Sequence, residues 1–96
     1  MAKILYVEDE DLLVQVFSDA LKNEGFTVES ATDGEVALIK VDEFHPDLSL
    51  LDVKLPKLNG IEVLKKLKEK EETKHIPVIM FTNQGDKTVD VEAAIK

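Results

Sequence analysis

No cysteine and no arginine occur among the 96 residues. Lack of cysteine removes disulfides, thiolate zinc sites and thiol nucleophiles together, a pattern that fits a reducing compartment and predicts the cytoplasm. Lack of arginine makes all 12 basic residues lysines, so the planar guanidinium fork suited to phosphates and base edges is missing. With 20 acidic residues and a formal net charge of −8, direct nucleic-acid binding is not expected. Long apolar runs are also missing. Stretches such as Val78 to Phe81 are far shorter than the roughly 20 residues of a membrane span, and the opening Met1 to Val7 meets Glu8 too soon for a signal peptide. No glycine-serine linker and no low-complexity tract divides the chain. One soluble domain over residues 1–96 is expected, with a single core.

What the sequence does contain is an alternation of two segment types. Short runs rich in β-branched and large apolar residues predict strands over Lys3 to Val7, Thr27 to Ala31, Asp47 to Leu51 and Pro77 to Thr82. The first, third and fourth are almost continuously apolar, as in strands buried on both faces. Between them, helical spacing predicts a helix over Asp11 to Asn23, whose Leu12, Leu13, Val16, Phe17, Ala20 and Leu21 share one face and which Gly25 stops. A second helix over Gly34 to Phe44 turns Ala37, Leu38, Val41 and Phe44 inward and ends at His45-Pro46, because the residue before proline avoids helical dihedrals. A third starts at Gly60, with Asn59 as its cap, Glu62 in the reciprocal position, and Ile61, Leu64 and Leu67 as its buried stripe. The segment from Thr88 to Lys96 reads as a last short helix with Val91, Ala94 and Ile95 on one side. Parallel strands need crossovers, and crossovers are right-handed, so the expected architecture is α/β: an open parallel sheet with helices on both faces.

In such sheets ligands bind beyond the carboxyl ends of the strands. Those ends carry Glu8-Asp9-Glu10-Asp11, then Asp52, then Thr82-Asn83-Gln84. Glu10 and Asp11 are accounted for by the positive end of the first helix. Asp52, directly after Leu50-Leu51 in a buried strand, is not, because an unpaired charge there is costly. Carboxylates gathered on one rim repel each other, and a hard cation relieves the repulsion. Mg²⁺ suits the place, since it accepts one or two carboxylates, keeps waters and leaves positions for phosphate oxygens.

The pieces Lys3 to Glu10, Ala31-Thr32-Asp33-Gly34-Glu35, Pro46-Asp47-Leu48 leading to Leu51-Asp52, Pro56 with Gly60, and Ile76-Pro77-Val78-Ile79 running into Thr82 resemble, in order and spacing, the receiver domains of two-component response regulators. The resemblance implies the flavodoxin-like version of the fold, with four of the usual five βα units present. It implies that Asp52 accepts a phosphoryl group from a sensor histidine kinase or phosphotransfer protein. Asp9, Asp52 and the backbone carbonyl of Lys54 would bind Mg²⁺, with Glu8 acting through water. Thr82 would be the switch hydroxyl, and the output would be contact with a downstream protein target. The domain would be no enzyme beyond its own phosphorylation and dephosphorylation. Pro56 and Gly60 would only shape the loop after Asp52.

Other residues attract no role. His45 and His75 sit beside proline-containing turns and read as surface or packing residues. The Lys65 to Lys74 series reads as a solvated helix face.

The sequence departs from the family at its end. Members usually continue through a fifth strand with a phosphate-binding lysine, an aromatic switch residue and a final helix. None of Lys54, Lys57 and Lys87 occupies that lysine's position, so the role passes to none of them. Asn83 stands where the family favours a very small residue, and Lys54 and Gln84 stand where it tunes acyl-phosphate hydrolysis. In strand order 2-1-3-4-5 the fourth strand becomes an edge, from which homodimerisation, completion by a partner or reduced stability is expected. The competing reading is a receiver-like interaction module that is not phosphorylated, or a truncated receiver that keeps the fold without the switch. A small magnesium-dependent phosphatase ranks last, since no general acid or substrate pocket is apparent.

Overall fold

The computed structural model describes residues 2–81. The helix expected over Thr88 to Lys96, and Thr82 at the end of the expected fourth strand, lie outside the described residues. Within them the order is β1 (Lys3–Val7), α1 (Asp11–Asn23), β2 (Thr27–Ala31), α2 (Gly34–Phe44), β3 (Leu48–Asp52), α3 (Gly60–Glu69) and β4 (Val78–Phe81). The four strands form one sheet in the order β2-β1-β3-β4, and every neighbouring pair is parallel. This is the flavodoxin-like arrangement. Its order follows from right-handed crossovers: the chain steps outward once through α1, then back across β1 through α2, and onward through α3.

Local chemistry sets the helix ends. At α1 the Gly25 N–H donates to the Lys22 carbonyl and the Phe26 N–H to the Leu21 carbonyl, with Gly25 at φ 98°. That double bond is a Schellman stop, and it needs a residue tolerant of left-handed backbone. Asp33 caps α2 by accepting from the Val36 N–H at 2.8 Å. His45, at φ 52°, closes the same helix before Pro46. Asn59 and Glu62 complete the expected reciprocal cap of α3.

Two strands differ from expectation by a residue or so. Asp47 is not a ladder residue, because it clamps the start of β1. Its N–H donates to the Lys3 carbonyl, and its carboxylate accepts from the Lys3 N–H, both at 2.7 Å. Strand β3 therefore starts at Leu48 and runs through Asp52, which pairs in register with Phe81.

The two faces of the sheet are unequally covered. Leu5, Val7, Leu51, Val78 and Met80 meet Ala37, Val41, Val63, Leu64 and Leu67 of α2 and α3 in one core cluster, all buried. On the opposite face α1 lies over β1 and β2. There Tyr6, Leu50, Ile79 and Phe81 of the sheet and Phe17 and Leu21 of α1 line an open groove of about 290 Å³. Consequently Leu12, Val16 and Phe17, which the sequence puts on one shared apolar face, are 70%, 52% and 50% exposed. They belong to α1's apolar stripe, but among the described residues no second helix stands beside α1 to cover them.

Candidate functional site

The acidic residues meet because β1 and β3 are hydrogen-bonded neighbours, with Val7 opposite Leu51. Glu8 and Asp9 follow β1 directly, and Asp52 is the last residue of β3. One carboxylate oxygen from each of Glu8, Asp9 and Asp52 lies within 4.8 Å of the others. Glu8 and Asp52 are buried, at 0% and 1% exposure, whereas Asp9 faces solvent.

The backbone answers part of this buried charge. Glu8 accepts from the Glu10 N–H at 3.2 Å, and Asp52 accepts from the Lys54 N–H at 3.2 Å. The rest is left to raise the carboxylates' pKa values. Burial, then the nearby Asp52 carboxylate, raises Glu8 to about 7 against the lowering effect of the Glu10 N–H bond. Burial likewise raises Asp52, with Asp9 adding to it, while the Lys54 N–H and the Glu8 side chain work the other way. Two buried carboxylates side by side resist ionising together. Three hard oxygen donors with one flank open to water fit a small hard divalent ion, and they match the donor set that Mg²⁺ prefers.

The structure thus brings together Glu8, Asp9 and Asp52, with Lys54 two residues beyond. Thr82, Asn83, Gln84 and Lys87 lie outside the described residues. Gly60 has a steric reason to be glycine: a Cβ there would overlap the Asp52 carbonyl oxygen and come within 2.9 Å of Met80 Cε. His45 and His75 are remote from the acids. Both are exposed and line a hollow of about 240 Å³ with Asp42, Asp47 and Glu72, below the starts of β3 and β4. Lys68 and Lys74 have local partners, the Lys74 and Ile76 carbonyls and Glu71 respectively.

One neighbour carried no signal in the sequence. Burial, followed by the Glu8 and Asp52 charges, pushes the Tyr6 phenol up to about 12. Glu8 stands only two residues further along the same segment, but an apolar strand gives no sign that its one aromatic hydroxyl will also feel Asp52 on the next strand.

Similarity to known proteins agrees with this architecture. Polar-differentiation response regulator DivK of Brucella ovis is 42% identical over 79 residues, covering 82% of this chain and 64% of that protein's length. The chain thus spans under two thirds of this relative. The chemotaxis response regulator CheY4 of Vibrio cholerae superposes with a TM-score of 0.83 at 34% identity, covering 90% of this chain and 72% of that one. The receiver domain of the sensor histidine kinase PA1611 of Pseudomonas aeruginosa PAO1, solved with a magnesium ion coordinated in its active site cleft, gives a TM-score of 0.80 at 30% identity, covering 88% and 72%. The sequence model of the response regulator receiver domain matches residues 4–96. With its sheet order and its acids at the ends of β1 and β3, the chain belongs to the response regulator receiver domain family.

Proposed function

We propose that the chain is a phosphoacceptor in two-component signalling, receiving a phosphoryl group on Asp52 from a phosphohistidine of a sensor kinase or phosphotransfer protein. The observation that carries this reading is the gathering of Glu8, Asp9 and Asp52 at one end of the sheet, with Asp52 buried at its inner side. Ionised Asp52 attacks phosphorus in line with the departing imidazole, so that an acyl phosphate P–O bond forms as the P–N bond breaks. The Lys54 N–H holds Asp52 Oδ1 and fixes the carboxylate's orientation for that attack. Asp9, Asp52 and the Lys54 carbonyl would hold Mg²⁺, with Glu8 acting through water; the magnesium in the PA1611 cleft supports this assignment. When bound, the ion offsets the charge of carboxylates and phosphoryl oxygens brought together.

Thr82 is proposed as the hydroxyl that answers the phosphoryl group, and a downstream protein as the reader, in the cytoplasm. No helix among the described residues is long and apolar enough to cross a membrane. The test is incubation with Mg²⁺ and acetyl phosphate, or with a beryllofluoride mimic, followed by mass or NMR analysis. An adduct on Asp52 that Asp52→Asn abolishes is expected. No adduct, or one that survives the substitution, leaves the interaction-module reading in its place.

Homodimerisation through β4 belongs to the same set of proposals. Among the described residues β4 pairs only with β3, and Ile79 is 44% exposed. Light scattering that shows a well-folded monomer at high concentration would remove it.

A further inference from the structure

The loop that follows Asp52 is held at two places. Near its ends it is tied to the acidic site: the Lys54 N–H donates to Asp52, the Gly60 N–H donates to the Val53 carbonyl at 2.9 Å, and the missing side chain of Gly60 lets the chain pass close to the Asp52 carbonyl. Its middle is held by the first turn of α2. The Gly34 N–H reaches the Pro56 carbonyl at 3.5 Å. Gly34 is buried, and a Cβ on it would overlap the Leu58 carbonyl oxygen and stand 2.7 Å from Leu58 Cβ. Lys57, left-handed at φ 68°, brings Nζ to 3.8 Å from Asp33 Oδ2 and 3.9 Å from Glu35 Oε1. The Asp33 carboxylate is thereby shared, since Oδ1 caps the Val36 N–H while Oδ2 faces the lysine.

We propose that Gly34 and Lys57 are positioning residues for the metal site: through them the start of α2 sets where residues 53–59 lie, and so where the Lys54 carbonyl stands relative to Asp9 and Asp52. The proposal rests on the assignment of that carbonyl as a magnesium ligand. Its physical ground is the narrowness of magnesium coordination, which wants near-octahedral oxygens at fixed short distances, so a carbonyl displaced by a fraction of an ångström loses affinity. The contacts form an unbroken path: Asp52, Lys54, the loop, Gly34 with Leu58 and Lys57 with Asp33, then the capped turn of α2. Coupling of this kind is reciprocal, so Mg²⁺ at the acids tightens the first turn of α2 by the same factor.

The test is an NMR titration with Mg²⁺ of the wild type, Gly34→Ala, Lys57→Met and Lys57→Arg, with melting of each protein followed without metal. Gly34→Ala must push Leu58 away and is expected to weaken Mg²⁺ binding about tenfold, a loss of about 1.4 kcal/mol. Lys57→Met is expected to weaken it about twofold, the scale of an exposed ion pair, and less as salt rises. Lys57→Arg restores it. The sign is diagnostic: removing a positive charge near a cation site tightens binding through space, so only a positioning role weakens it.

In the wild type the Val36 amide shift is expected to move with Mg²⁺ occupancy, and one that stays fixed through saturation overturns the coupling. A Lys57→Met protein that binds Mg²⁺ as well as the wild type or better overturns the proposal, even where Gly34→Ala fails to fold. So does a variant that melts lower with unchanged affinity, since that role is merely structural. A wild type that binds no Mg²⁺ overturns the metal assignment as well, which separates the two failures.

Discussion

At Glu8, burial and the adjoining Asp52 carboxylate hold the side chain's pKa near 7, against an ordinary 4.5. Asp52 is raised in the same direction from 3.8. An acid whose pKa is raised by folding binds its proton more tightly folded than unfolded. Its contribution to stability is therefore complete below the unfolded value and is lost as pH climbs through the folded one. The metal-free protein is expected to melt at a higher temperature near about pH 5 than near about pH 8, with the loss centred on Glu8. On the magnesium assignment proposed above, millimolar Mg²⁺ should reverse most of that loss at the higher pH, by binding the ionised carboxylates of the folded chain alone. Thermal melts across that range, with Mg²⁺ and with chelator, check both. A flat metal-free profile would mean that the two carboxylates are better solvated than their burial implies.

Among the elements, α3 has the most self-contained start. Asn59 Oδ1 accepts from the Glu62 N–H at 2.9 Å, and Glu62 Oε1 accepts from the Asn59 N–H at 3.3 Å. Asn59→Ala is expected to cost about 1 kcal/mol in urea denaturation. No measurable change would show that solvent satisfies these exposed amides equally well. Such caps explain how much of the fold was legible beforehand. Gly25, His45-Pro46 and Asn59 with Glu62 act on bonds a few residues away, so α1 and α2 appear where the sequence predicts them and α3 starts at Gly60 as expected. Strand ends were less legible: Asp47 leaves the ladder because of a tertiary clamp on Lys3, a partner 44 residues distant. The acids were legible for a topological reason, since adjacent parallel strands must bring their last residues together. The grip of Gly34 and Lys57 on the loop after Asp52 was not. It depends on two turns from different βα units passing within van der Waals range, and nothing in a lysine's identity announces left-handed backbone.

At the scale of the whole sheet, over the described residues, the unequal covering of the two faces matters most. Sequence patterning gives α1 an apolar stripe, but only the fold decides how much of that stripe finds a partner. Leu12 and Val16 show that it can be left outside. The charge of −8 opposes casual association of such a surface, and salt or Mg²⁺ should relax that opposition.

The thin attachment of α1 also bears on how the protein opens. Ser18 is its only buried residue, whereas α2 and α3 each bury several. A helix anchored so lightly separates from the sheet at a lower free energy than full unfolding requires. In native-state hydrogen exchange, the amides in the middle of α1 should therefore lose protection before those of α2 and α3, in a step that responds weakly to denaturant. Equal protection across the three helices would mean that α1 leaves only when the whole sheet does. The expected ordering makes α1 a detachable unit, and any chain that lies along the Tyr6–Phe81 groove would be read out, residue by residue, as slower exchange in the helix whose Phe17 and Leu21 form one wall of it.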